Sequence, residues 1–226
     1  VYITWGDHDV AENICHLVLA RLPDGVPGTK GISLFLVPKF LPDENGNPGV
    51  ANTLKPISLE HKLGLHGSPT AVMEFEGATG WMVGPEHGGM AAMFTMMNNA
   101  RLGVGVQGLG IAEAAYQKAL AYAQDRVQGA TMVSDTNTIL DHADVRRMLM
   151  QMKALTGSAR AICLDTAFSL DMARASSGDE AAKWKARGAF LTPIAKAFGT
   201  DVGSEVADLG IQVHGGMGYI EETGAA

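Results

Sequence analysis

The chain has 226 residues, 46% hydrophobic and 18% charged, which suits one or two packed globular domains and excludes an intrinsically disordered segment. Seventeen Lys and Arg against twenty-four Asp and Glu leave a formal charge of −7, so no basic excess is present to attract a nucleic acid. No apolar run approaches the ~20 residues needed to cross a bilayer, and no signal peptide opens the chain.

Two lone cysteines, Cys15 and Cys163, have no metal-type spacing. They fit a reducing, cytoplasmic setting, with both thiols expected to be buried. The chain opens without Met inside a β-like run, Val1-Tyr2-Ile3-Thr4-Trp5, and stops just after Glu221-Glu222-Thr223-Gly224, which reads as a fragment.

Up to about residue 86 the pattern is that of strands. Ile14 to Leu22 and Ile32 to Val37 are short apolar runs separated by Pro23-Asp24-Gly25 and Pro27-Gly28, turn chemistry of the kind that punctuates β structure. Pro38 to Gly49, with three prolines, two glycines and two asparagines, reads as a surface loop. Leu54 to Leu59 and Ala71 to Glu76 supply two further strands, and in the second Met73 and Phe75 alternate with Glu74 and Glu76. Nothing resembles a βαβ crossover, so an antiparallel sheet or small barrel is expected.

From residue 87 the periodicity becomes helical. Met90 to Gln124 is long and rich in Ala, Met and Leu. Asp141 to Ala175 carries a stripe of Val145, Met148, Leu149, Met152, Leu155, Ala159, Ile162 and Cys163, spaced to bury one helical face, with Asp141 as its N-cap. Ala181 to Val213 forms a third helix containing Pro193 and ended by Gly215-Gly216. Three such helices cannot bury all their stripes alone, so a fourth helix or a partner subunit is implied. The fold class is therefore α+β: a small antiparallel β domain over 1–86, then an up-down helical bundle over 87–226.

Two patterns invite over-reading. Gly103, Gly105 and Gly108 spell G-x-G-x-x-G, with Asp125 where a ribose-binding acid would sit, which suggests an NAD-dependent oxidoreductase. The motif works only after a strand, and Met90 to Met97 before it is helical in composition, so glycines packed within a helix are the better reading. The acid–histidine neighbours Asp7-His8-Asp9, Glu60-His61 and Asp141-His142 lack metal-site spacing and read as solvated loop or cap positions.

Tyr2-Ile3-Thr4, Arg101, Arg126-Val127-Gln128-Gly129 and Gln212-Val213-His214-Gly215-Gly216-Met217-Gly218-Tyr219, in this order and spacing, resemble acyl-CoA dehydrogenases. The text between them, such as Asp144-Val145-Arg146-Arg147-Met148-Leu149, is similar to the longer bacterial subgroup that includes 3-methylmercaptopropionyl-CoA dehydrogenase. The likeness covers essentially the whole chain. It implies an FAD enzyme that converts an acyl-CoA thioester to the trans-2-enoyl-CoA, built as a homodimer or homotetramer and passing electrons to an electron-transfer flavoprotein. By the resemblance, Tyr2 packs on the flavin and Thr4 hydrogen-bonds near its N5, although residue by residue both read equally as ordinary strand positions.

Arg126, Gln128, Gln212, Gly215 and Gly216 match positions that reach the FAD of a neighbouring subunit; alone, they read as a solvated helix-end arginine and a helix C-cap. Arg101 matches an arginine near the acyl-CoA pocket, with a structural ion pair as its alternative. In most relatives the catalytic base is a Glu downstream of the Gly-Gly-x-Gly-Tyr stretch, and Glu221 and Glu222 come too soon after it. Other relatives place the base just before the arginine matched by Arg101, where this chain has Ala100. The base is therefore expected outside these 226 residues, and the piece alone is expected not to turn over. A non-catalytic scaffold of the same fold is the competing reading.

Overall fold

Residues 1–133 and 135–225 are described by the computed structural model. Its contacts divide the chain into two units, Val1–Met96 and Met97–Ala226.

The first unit is antiparallel throughout. Its strands are β1 (Tyr2–Thr4), β2 (Cys15–Arg21), β3 (Ile32–Pro38), β4 (Phe40–Pro42), β5 (Pro48–Ala51), β6 (Leu54–Leu59), β7 (Thr70–Phe75) and β8 (Trp81–Val83). They pair in the orders β1-β7-β6, β2-β3-β8 and β4-β5. Alternation sorts the side chains of β2 and β7 as expected of a half-buried sheet, burying His16 and Val18 in one and Ala71 and Met73 in the other, whereas β3 buries Leu34 and Val37 on opposite faces. Each of these side chains removes apolar surface from water, with a stabilisation of about 25 cal/mol per Å2.

The expected loop over Pro38 to Gly49 is instead largely a two-stranded ribbon, with Phe40 opposite Ala51 and Pro42 opposite Pro48. Proline is tolerated in such an isolated ribbon because no second neighbour requires its missing N–H. Asp43 closes the turn, accepting from the backbone N–H groups of Asn45 and Asn47 at 2.8 Å each, which holds its carboxyl below the usual range. Cys15 also departs from expectation. It lies exposed on β2, while Cys163 is buried and its thiol is pushed up by desolvation.

The second unit holds most of α1 (Gly89–Asp125) together with α2 (Ala143–Ala175) and α3 (Gly178–His214). The α2 stripe is buried or half-buried along its full length, and Leu149, Met152 and Ala159 join Ala112, Ala119, Ala123, Val202, Val206 and Val213 in one core. Asp141 does not cap α2. It belongs to a 3-10 turn, Ile139–Asp141, where its carboxylate is taken up by Arg146 at 2.5 Å, and His142 occupies the N-cap position. At the same end of the unit, Gly215 ends α3 with φ +61°, a conformation open to glycine at little cost.

Gly103, Gly105 and Gly108 lie inside α1, so the strand required by a dinucleotide-binding turn is absent and that alternative falls. Gly103 is exposed, whereas Gly105 and Gly108 are buried against α3. A Cβ on Gly105 would lie 2.6 Å from the Ala195 carbonyl oxygen, and one on Gly108 would lie 2.2 Å from that of Gly199. The glycines bring two helix backbones into contact. Among the described residues no helix is long and apolar enough to cross a membrane.

Candidate functional site

The segment leaving α1 is held in an extended shape by the segment entering α2. Val127 bridges Thr138 antiparallel, the Ile139 N–H donates to the Arg126 carbonyl at 2.8 Å, and the Gln128 N–H donates to Asn137 at 3.1 Å. His142 closes the arrangement, with Nε2 2.7 Å from the Gln128 carbonyl oxygen. Gly129 then turns away with φ +72°. This fixes the chain path that carries Arg126 and Gln128.

Beside it stands the C-terminal end of α3. The His214 ring stacks on Tyr122 of α1, with centroids 4.4 Å apart and planes at 28°, and its Nδ1 lies 2.7 Å from the Gly210 carbonyl oxygen. Between these parts is a hollow of about 370 Å3 lined by Arg126, Gln128, His142, Tyr122, His214 and Gly215, over a floor that includes Ile139 and Val213. Among the described residues it is lined by one guanidinium and two imidazoles and by no carboxylate, in a chain whose net charge is −7. An anion with a flat, partly apolar portion suits such a lining, because a guanidinium forks onto phosphate oxygens while the rings offer stacking surface.

Of the residues expected in a cofactor site, the structure thus brings together Arg126, Gln128 and Gly215. Gln212 and Gly216 are exposed nearby in sequence but do not line the hollow; the Gln212 carbonyl instead accepts the capping N–H of Gly215. Tyr2 and Thr4 are exposed on β1, an edge strand, in the other unit, and Tyr2 is 70% exposed. Arg101 is half-buried one turn from Asn98 in α1, with its Nη1 3.4 Å from Asn98 Oδ1. Tyr122 and His142 were missed by sequence reasoning: Tyr122 sits in an Ala-rich helix with no motif, and His142 was read with Asp141 as a solvated pair. No cluster of three or more acidic, histidine or cysteine side chains able to hold a metal occurs among the described residues.

Residues 87–226 match the acyl-CoA dehydrogenase C-terminal domain. The chain belongs to the acyl-CoA dehydrogenase family. Over its whole length it is 52% identical to 3-methylmercaptopropionyl-CoA dehydrogenase of Ruegeria pomeroyi, of which it covers 39%. Among solved structures it is similar to Caenorhabditis elegans ACDH-11 in complex with C11-CoA, with a TM-score of 0.76 and 28% identity over 92% of this chain and 34% of that one. It is also similar to butyryl-CoA dehydrogenase of Megasphaera elsdenii, with a TM-score of 0.75 and 26% identity over 98% of this chain and 50% of that one. The chain spans about two fifths of the length of the curated relatives it matches. Family membership agrees with the observed α+β architecture.

Proposed function

We propose that the full-length protein is an FAD-dependent acyl-CoA dehydrogenase, converting an acyl-CoA thioester to its trans-2-enoyl-CoA, and that the hollow at Arg126 holds the cofactor's diphosphate. The observation that carries this reading is the lining of the hollow: Arg126 and two histidines without a carboxylate, in an acidic chain of this family. When bound, FAD supplies the acceptor for the hydride that leaves the β-carbon.

The chain's own residues bind and orient. Arg126 grips the diphosphate, Gln128 adds polar contacts, and Gly215 leaves backbone open because no heavy atom lies within 4 Å of where its Cβ would be. Gln212, near the end of α3, and Gly216, in the turn after it, are assigned to the same cofactor from outside the lining of the hollow. In the proposed flavin-facing domain, residues 1–86, the exposed Tyr2 ring shields the reacting face from water and the Thr4 hydroxyl donates near the flavin ring. In the helical domain, residues 87–226, Arg101 orients the acyl-CoA. The catalytic base is placed outside these residues, consistent with Ala100 preceding Arg101. We further place the protein in the cytoplasm, on its two unpaired cysteines, as a homodimer or homotetramer that passes electrons to an electron-transfer flavoprotein.

The test is anaerobic bleaching of bound flavin in the full-length protein by saturated acyl-CoAs of graded length. The series begins with 3-methylmercaptopropionyl-CoA, after which the 52% identical relative is named. Bleaching by at least one thioester is expected. FAD that stays oxidised with all of them would favour the non-catalytic scaffold, and a protein that never binds flavin would overturn the proposal. Arg126→Ala should weaken FAD binding on the order of tenfold to a hundredfold, the range for losing a charged hydrogen bond.

A further inference from the structure

The two imidazoles in the hollow are constrained in the same way. Nδ1 of His214 faces the Gly210 carbonyl and Nε2 of His142 faces the Gln128 carbonyl, each at 2.7 Å. A carbonyl oxygen can only accept, so in the neutral ring each of these nitrogens carries the proton. The other nitrogen, Nε2 of His214 and Nδ1 of His142, has no hydrogen-bond partner among the described residues. On a neutral ring that atom presents a lone pair, which repels an anion. On a protonated ring it becomes a cationic N–H donor, which attracts one.

The helix ends treat the two rings differently: His142 stands at the N-cap of α2, the positive end of that helix, and His214 in the last turn of α3, at its negative end. Asp141 is engaged by Arg146 at 2.5 Å, Asp144 by Arg147 at 2.7 Å, and neither lines the hollow. Asp125 precedes Arg126 and is likewise outside the lining, and the Tyr122 ring stacks on His214. The lining's one permanent charge is the Arg126 guanidinium.

We infer that His142 and His214 make this a proton-coupled site for a phosphate-ester anion: the two rings take up protons as the anion enters, and the site binds more tightly as pH falls. The inference rests on the reading of the hollow as the FAD diphosphate site and adds to it two named residues and a sign. A diphosphate diester stays ionised throughout the range in which imidazole changes charge, so the protein side alone sets the dependence.

The experiment follows FAD binding to the full-length apoprotein by flavin fluorescence between about pH 8 and about pH 6. Exchanging a lone pair for a charged donor should tighten binding on the order of fivefold at His214, in the last turn of α3, and by less at His142, at the N-cap of α2. His142→Gln and His214→Gln each keep a donor for the backbone carbonyl but cannot gain charge, so each should remove one ring's share of the slope. Histidine ring NMR of the unmutated protein supplies a readout free of folding effects. The His142 and His214 signals should move toward the protonated form when FAD is added at fixed pH. An affinity that does not change with pH, a slope that survives in the double variant, or ring signals that ignore FAD would overturn the inference while leaving FAD binding intact. Absence of FAD binding at every pH would sink the cofactor reading itself. The same slope for CoA but not for FAD would assign the hollow to the substrate's phosphates and overturn the cofactor assignment.

Discussion

Single residues in this chain are decided by their backbone neighbours more than by their own chemistry. His16 is 3% exposed on β2, with Nδ1 3.2 Å from the Val37 carbonyl oxygen, Nε2 2.6 Å from that of Gly6, and the Phe75 ring meeting it edge-on. Replacing it with leucine keeps the bulk and strands the Gly6 carbonyl without a donor. His16→Leu should therefore lower stability by about 1–3 kcal/mol, the cost of an orphaned buried polar group, as read by urea unfolding. The cysteines make a second contrast. Thiolate is the reactive form, and Cys163 is buried with its thiol pushed up, while Cys15 is exposed. A maleimide reagent applied to the native protein should label Cys15 and leave Cys163 untouched, as peptide mapping would show. Labelling of both at equal rates would mean that the α2 core opens readily.

At the level of elements, the contact between α1 and α3 separates glycines that look alike in sequence. Gly108→Ala would set a methyl group 2.2 Å from a backbone oxygen, so the helices must part. A loss of about 1–3 kcal/mol is expected for such overpacking. Gly103→Ala meets nothing within 4 Å on the exposed side and should raise stability by up to about 1 kcal/mol through helix propensity alone. Equal effects at both positions in thermal unfolding would contradict the packing described here.

The same elements show what could be read in advance. The α2 stripe was legible because burial on one side of a helix imposes a period of 3.6, and Val145 to Cys163 keep it. The β4–β5 ribbon was not, because Pro42 and Pro48 look like breakers until their pairing is known, and β8 is only three residues long. Of the hollow's lining, Arg126, Gln128 and Gly215 were singled out in advance only through family likeness. No periodicity marks Tyr122 or His142, whose roles come from segments brought together by the turn after α1.

For the whole molecule, the β unit offers an exposed Tyr2 on an edge strand and the helical unit carries the hollow beside Arg126. The helical unit is only partly closed on itself. Leu164 and Phe168 of α2 and Phe190 of α3 are each more than half exposed, although they belong to helices that already share a core. Three helices leave such surface over, as their stripes imply. Association of copies that covered it would draw the folding equilibrium forward by mass action, so that the folded state would depend on how many copies are present. The melting temperature of the chain should then rise with its concentration, by about 2 °C for each tenfold increase. A melting temperature independent of dilution would show that each copy is stable with those side chains wet.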